Sequence, residues 1–130
     1  MNELIFFGII ALGAWLWPIR DSIRVRNGKS INHSNNAWIR GVLVSILSIL
    51  LFTGWYVVPY VLVGLVFGWA FFDVVMSWRL TQTLWYIGKT AGADKWARRH
   101  IGTDGRVYLV FKGAIFFVSY SIIKVVDLIF

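Results

Sequence analysis

The sequence predicts an all-α integral membrane protein: a four-helix transmembrane bundle with a tight hairpin between its second and third spans. Three observations predict it. The 32 residues between Arg40 and Asp73 carry no charged side chain, whereas a bilayer core about 30 Å thick needs roughly 20 apolar helical residues to span it. That run is too long for one comfortable span and suits two short ones folded back on each other. The chain as a whole is 58% hydrophobic and 15% charged, with a mean hydropathy of +0.70, too little polar surface for a soluble domain of this size. Finally, the basic residues gather in two stretches, 20–40 and 79–106, each with a net charge of +4.

A single transmembrane domain over residues 1–130 is the expectation from length. The first span covers about 4–19, bounded by Pro18 and Arg20. A cleaved signal peptide is the rival reading. It is disfavoured because Glu3 is the only charge ahead of the apolar stretch and no small-x-small cleavage site precedes Trp15. The connection at 20–37 carries Arg20, Arg24, Arg26 and Lys29, with Arg40 just beyond, against Asp21. Its Asn27-Gly28 is a turn signal, and Ser34-Asn35-Asn36 offers caps for the next helix. The second span then covers 38–57 and the third 59–78. The break falls at 53–60, where Gly54 loosens the first helix and Pro59 suits the first turn of the second.

The second connection, 79–106, sets Arg79, Lys89, Lys95, Arg98, Arg99 and Arg106 against Asp94 and Asp104. Within it, residues 91–100 read as a short helix at headgroup depth, with Trp96 inward and the basic residues outward, and Gly102-Thr103-Asp104-Gly105 reads as a turn. Lys95, Trp96, Arg98 and Arg99 are the candidate contacts to anionic lipid headgroups, a more economical reading beside membrane spans than nucleic acid. The fourth span covers 107–127. Both positive connections can face the cytoplasm only if the uncharged run crosses twice. The termini and the hairpin turn are then extracytoplasmic, and the tryptophans at 15, 17, 38, 55 and 78 fall at membrane interfaces.

Two sets of residues stand out within the spans. Asp73 lies six positions before Arg79, and Lys112 six after Arg106, so each sits about 9 Å inside the same boundary. A carboxylate and an ammonium at matched depth invite pairing, because either alone is costly in hydrocarbon. The pair serves either an ion pathway or helix register. The lack of further polar residues across the bilayer favours register. Gly64 and Gly68 form a G-x-x-x-G on the third span, and Gly41 and Ser45 begin a small-residue stripe on the second, both patterns that let helix backbones approach. Asp73 falls about 180° from Gly64 around the helix, so the third span is expected to pack on two faces.

Other chemistry is not visible. The chain has no cysteine and two distant histidines, His33 and His100, too few for a metal site. Gly88-Lys89-Thr90 lacks the upstream glycine of a phosphate loop, since Thr83 occupies that place. No acid, base and nucleophile constellation appears. No cofactor and no catalytic activity are expected.

The elements Ile31-Asn32-His33, Phe72-Asp73 and Trp85-Tyr86-Ile87-Gly88-Lys89-Thr90-Ala91 ahead of Asp94-Lys95 resemble small hydrophobic membrane proteins of unknown function encoded in bacteriophage and prophage genomes. The resemblance implies a bacterial inner membrane and no catalytic residues. The expected role is a non-enzymatic protein acting through helix association, as a homo-oligomer or a small subunit of a membrane assembly. A phage holin is one concrete version, although the apolar end at Asp127-Leu128-Ile129-Phe130 lacks the charged tail many holins carry. The alternative is a small channel or transporter using Asp73 and Lys112.

Overall fold

The computed structural model describes residues 1–81 and 92–129, and every element in them is helical. They are α1 (Asn2–Arg26), α2 (His33–Leu51), a 3₁₀ turn at Gly54–Tyr56, α3 (Val57–Thr81), α4 (Gly92–His100) and α5 (Gly105–Ile129). Three helices are long and apolar enough to cross a membrane: α1, α3 with its leading 3₁₀ turn, and α5. The apolar part of α2, Asn35–Leu51, is shorter at 17 residues. The segment Trp85 to Ala91, with Gly88-Lys89-Thr90, lies outside the described residues.

Helix α1 runs seven residues past the expected end at position 19, straight through Pro18. Proline removes one N–H and leaves the carbonyl of Ala14 without its usual donor, a loss that helices packed in membranes tolerate. The reason the helix continues is visible in its buried stripe: Phe6, Ile10, Ala14, Pro18 and Ser22 recur every fourth residue and form one ridge against α3. The ridge holds both sides of the proline to the same neighbour. The helix ends at Asn27-Gly28, where Gly28 takes φ +69° and Lys29 N–H reaches back to Arg24 O at 2.9 Å.

The cap of α2 is Asn32 rather than a residue of Ser34-Asn35-Asn36: its Oδ1 accepts from Asn35 N–H at 3.0 Å. This helix stops at Leu51, six residues before the expected limit, because Phe52 and Thr53 turn extended. Gly54 then adopts φ +61°, a left-handed conformation that side chains resist. Pro59 falls in the first turn of α3, where no intrahelical donor is missed. The Phe52 ring stacks flat on Tyr60, centroids 3.8 Å apart, and closes the hairpin.

Helix α4 ends with Ile101 and Gly102 N–H both bonded to Ala97 O, at 2.8 and 3.1 Å, and Gly102 at φ +110°. Asp104 Oδ1 accepts from Arg106 N–H at 2.9 Å, which starts α5.

The helices alternate in direction. Glu3 meets Tyr60 near the start of α3 while Ser22 meets Arg79 near its end, so α1 and α3 run parallel. Asn36 reaches Asp21, and Asn2 reaches Leu51 O, so α2 runs against α1. Lys124 reaches Glu3, and Lys112 reaches Asp73, so α5 runs against α1 and α3. Helix α3 is the hub and packs on α1, α2 and α5.

The tightest point of that hub is Gly64. A Cβ placed there meets Phe6 Cζ at 2.7 Å, Val44 Cγ1 at 2.9 Å and Ile10 Cδ1 at 3.0 Å, so three helices converge on one missing side chain. At Gly68 the nearest atom is Ile10 Cγ2, at 3.2 Å. Gly64→Leu is therefore expected to destabilise the bundle by about 1–3 kcal/mol or more, as overpacking does, and Gly68→Ala by less. Thermal unfolding of both variants in one detergent checks the ranking.

Candidate functional site

Among the described residues, polar chemistry collects in two clusters at opposite ends of the bundle. The first is built where α3 passes between α5 and α2. Lys112 Nζ on α5 is ion-paired to Asp73 Oδ2 on α3. Lys112 is 2% exposed and is boxed by ring faces, with Tyr108 at 4.0 Å and Trp69 at 4.9 Å from its Nζ. Burial of an ammonium in hydrocarbon is tolerable only with such a partner set: a carboxylate for the charge and π-faces for the remaining directions. The Tyr108–Trp69 edge contact, centroids 5.8 Å apart, continues the box.

Around that pair lie further charges that the sequence reading did not connect. The Arg40 guanidinium stacks over Phe72 at 4.1 Å and lies 5.7 Å from the Trp17 ring. Asp21 and Asp73 both attract it from further away. Asp21 is buried and accepts from Asn36 Nδ2 at 3.3 Å. Arg79 Nε donates to Ser22 Oγ at 2.8 Å, and Arg26 donates to the Arg79 carbonyl. These contacts stitch the ends of α1, α2 and α3 together.

The second cluster centres on Glu3. Its carboxylate accepts from Tyr60 on α3, from Tyr120 on α5 at 3.0 Å, and from Lys124 Nζ at 2.5 Å. Lys124 also lies 3.9 Å from Asp127. One carboxylate near the start of α1 thus ties three helices. Tyr60, Tyr120 and Lys124 were visible as polar residues on apolar helices, but only the fold brings them to one point.

Between the clusters the interior is aromatic and apolar. Phe6, Phe7, Phe67, Phe116 and Tyr120 pack with centroids 5.1–6.0 Å apart, edge-on or tilted except for the parallel Phe116–Tyr120 pair, and Val63 is 1% exposed. Ring pairs of this geometry add about 0.5–1.5 kcal/mol each beyond their buried area, a useful contribution where lipid removes the hydrophobic drive for helix association.

The remaining expected residues divide. Gly64 and Gly68 lie on the α1–α3 seam. Gly41 and Ser45 do not lie in any internal seam: a Cβ on Gly41 meets nothing within 4 Å, and Ser45 Oγ bonds back to Gly41 O at 2.8 Å. Val44 and Ser48 are the buried ones among the described residues of that helix. Position 41 lies only about 20° around the helix from buried Ser48, so it shares the α3-facing side and is open because no neighbour comes within 4 Å at its level. On α4, Lys95 and Arg99 are exposed and Arg98 is half-buried. Ala97 is fully buried against Tyr108, while Trp96, 47% exposed, stacks on His100 with centroids 5.0 Å apart and tilts against Phe111 of α5 at 5.8 Å. Among the described residues no three of His, Cys, Asp or Glu come together as a metal site requires.

The chain matches no protein-family model, no curated protein and no solved structure.

Removing one member of the Asp73–Lys112 pair leaves the other buried and unpaired, which costs about 3–5 kcal/mol. Asp73→Asn and Lys112→Met are each expected to destabilise strongly, and the double variant by clearly less than their sum. Additive losses in that double-mutant cycle would show two groups that do not interact.

Proposed function

We propose that the chain is a four-span membrane protein without enzymatic activity that works by helix association, as a homo-oligomer or a small subunit of a larger membrane assembly. The observation that carries the reading is an unfilled furrow on α2. Ala37, Gly41 and Ser45 repeat every fourth residue along it, walled by Trp38, Val42, Ile46, Ile49 and Leu65, and its volume is about 500 Å³. Small residues spaced by four are what a second helix needs in lipid, and a Cβ at Gly41 would meet nothing within 4 Å.

The alternating helix directions support four crossings. Apart from Lys124, every described lysine and arginine lies towards the end of the bundle that holds the two polar connections. The start of α1, the hairpin turn and the end of α5 share the other end. With positive charge favouring the cytoplasm, that arrangement gives extracytoplasmic termini. The 17 apolar residues of α2 sit at the lower limit for a span. A bacterial inner membrane is the setting we infer, on the resemblance to phage-encoded proteins.

A second reading, a small channel or transporter, draws on the buried Asp73–Lys112 pair. The aromatic layer that separates this pair from the Glu3 cluster interrupts any continuous polar path, and so the associative reading is preferred. Ion leak on expression, or abrupt lysis for the holin version, distinguishes these roles from a structural subunit.

Two measurements test the proposal. Detergent-solubilised protein should have a mass above the 14.9 kDa protomer or carry a co-purifying membrane protein, and Gly41→Leu should abolish that association while leaving the protomer folded. An unchanged assembly in Gly41→Leu contradicts the α2 interface. Single cysteines at Asn27, Thr103 and Gly54 should separate, with only the last labelled from outside by an impermeant reagent.

A further inference from the structure

The two ionic attachments of α5 differ in what surrounds them. At the inner one, Lys112 with Asp73, the lysine side chain is 3% exposed and boxed by rings. At the outer one, Lys124 with Glu3, the side chains are 42% and 32% exposed, and Glu3 stands in the first turn of α1. Helix α3 packs along both α1 and α5. Directly between α1 and α5, among the described residues, stand Glu3 with Tyr120 and Lys124, and Phe7 with Phe116 and Tyr120. The groups bonded to the Glu3 carboxylate are all donors: the phenols of Tyr60 and Tyr120 and the ammonium of Lys124. Two further charges belong to this end. Asp127 lies 3.9 Å from Lys124 and is bonded by Tyr56 of the hairpin turn, and the Met1 amino group lies two positions before Glu3. Helix α2 brings no titratable side chain beyond Arg40.

We propose that Glu3 is an acid-released latch: protonation of its carboxylate frees the outer half of α5 from α1, while the Asp73–Lys112 pair keeps the inner half docked. Ionised Glu3 offers acceptor oxygens to three donors at once and a negative charge to Lys124. The neutral acid carries a proton on one oxygen and no charge. Lys124 is then left with Asp127, three positions along its own helix, so a tie between helices becomes a tie within one. The ring contacts of Phe7 with Phe116 and Tyr120 are indifferent to pH, and so α5 loosens without leaving the bundle. The sign follows from the charges. The latch is closed at neutral pH and opens as acidification protonates a carboxyl group, whose ordinary pKa is about 4.3. The side of the membrane that the latch senses rests on the four-span reading, which turns this end outward; the latch itself does not.

The test is amide hydrogen exchange of the full chain in detergent, corrected for the intrinsic effect of pH, at about pH 7 and about pH 3.5, on either side of an ordinary carboxyl group. Residues 116–129 should exchange roughly fivefold faster at the lower pH, the worth of a partly exposed ion pair, while residues 109–115 stay unchanged. Glu3→Gln keeps the shape of the side chain without its charge and should show the faster exchange at both pH values. Asp127→Asn should keep the step. Lys124→Gln, which leaves Glu3 in place should Glu3→Gln fail to fold, should move the midpoint of the step to higher pH, because the ionised carboxylate has lost its cation. No step in the parent protein, a step that survives Glu3→Gln, or one confined to residues 109–115 overturns the latch. Impermeant labelling at Gly54 reports the side separately: an unlabelled Gly54→Cys would remove the outward orientation and leave the latch standing.

Discussion

Helix α3 has to satisfy three long neighbours at once, and in hydrocarbon it must do so without a hydrophobic drive between apolar surfaces. It manages this with opposite devices on opposite sides. On one side it removes matter: Gly64 and Gly68 let Phe6 and Ile10 of α1 come so close to the α3 backbone that an added Cβ would meet them at 2.7–3.2 Å, with Val44 of α2 closing over the same point. Some 180° around the helix it adds charge: Asp73 binds Lys112 of α5. The first device depends on close packing and the second on electrostatics in a medium that cannot screen it. The parallel course of α1, the placement of α5 and the position of both polar connections follow from these two attachments.

The charges are distributed so that neither end of the bundle relies on solvent alone. Towards the polar connections, Asp21, Arg40, Asp73 and Lys112 face one another at short or intermediate range. At the other end Glu3 draws in Tyr60, Tyr120 and Lys124. Phenylalanine rings fill the space between. A buried ion pair contributes little net stability after desolvation. Its value here lies in register, since a one-turn slip of α5 would strand Lys112 and Asp73 in an apolar wall.

Much of this was legible in one sequence. Pro59 and Gly54 announce the hairpin because their backbone chemistry is local, and Asn27-Gly28 and Gly102 announce turns for the same reason. Asp73 and Lys112 stand out because a charge in an apolar run is conspicuous, and their equal distance from Arg79 and Arg106 is simple arithmetic on helical rise. Other features depended on rotation and three-dimensional packing. Gly41 and Gly64 look alike in sequence, yet only the neighbours that reach each level make one a seam and leave the other open. The course of α1 through Pro18 depends on a ridge whose partner lies some 60 residues on. Glu3, which in sequence only marks a signal-peptide question, becomes the tie between three helices through residues more than 50 positions away.

The most direct test of the hub is covalent. The chain has no native cysteine, so paired cysteines report cleanly on which residues meet. Ile10→Cys with Gly68→Cys should form an intramolecular disulfide on mild oxidation, because the two positions are in contact and the substitution at Ile10 relieves the crowding at Gly68. Glu3→Cys with Arg79→Cys should not, since those residues lie near opposite ends of the bundle. A link between positions 10 and 68 alone is the result this account predicts; no link there, or a link between 3 and 79, would contradict the parallel packing of α1 on α3.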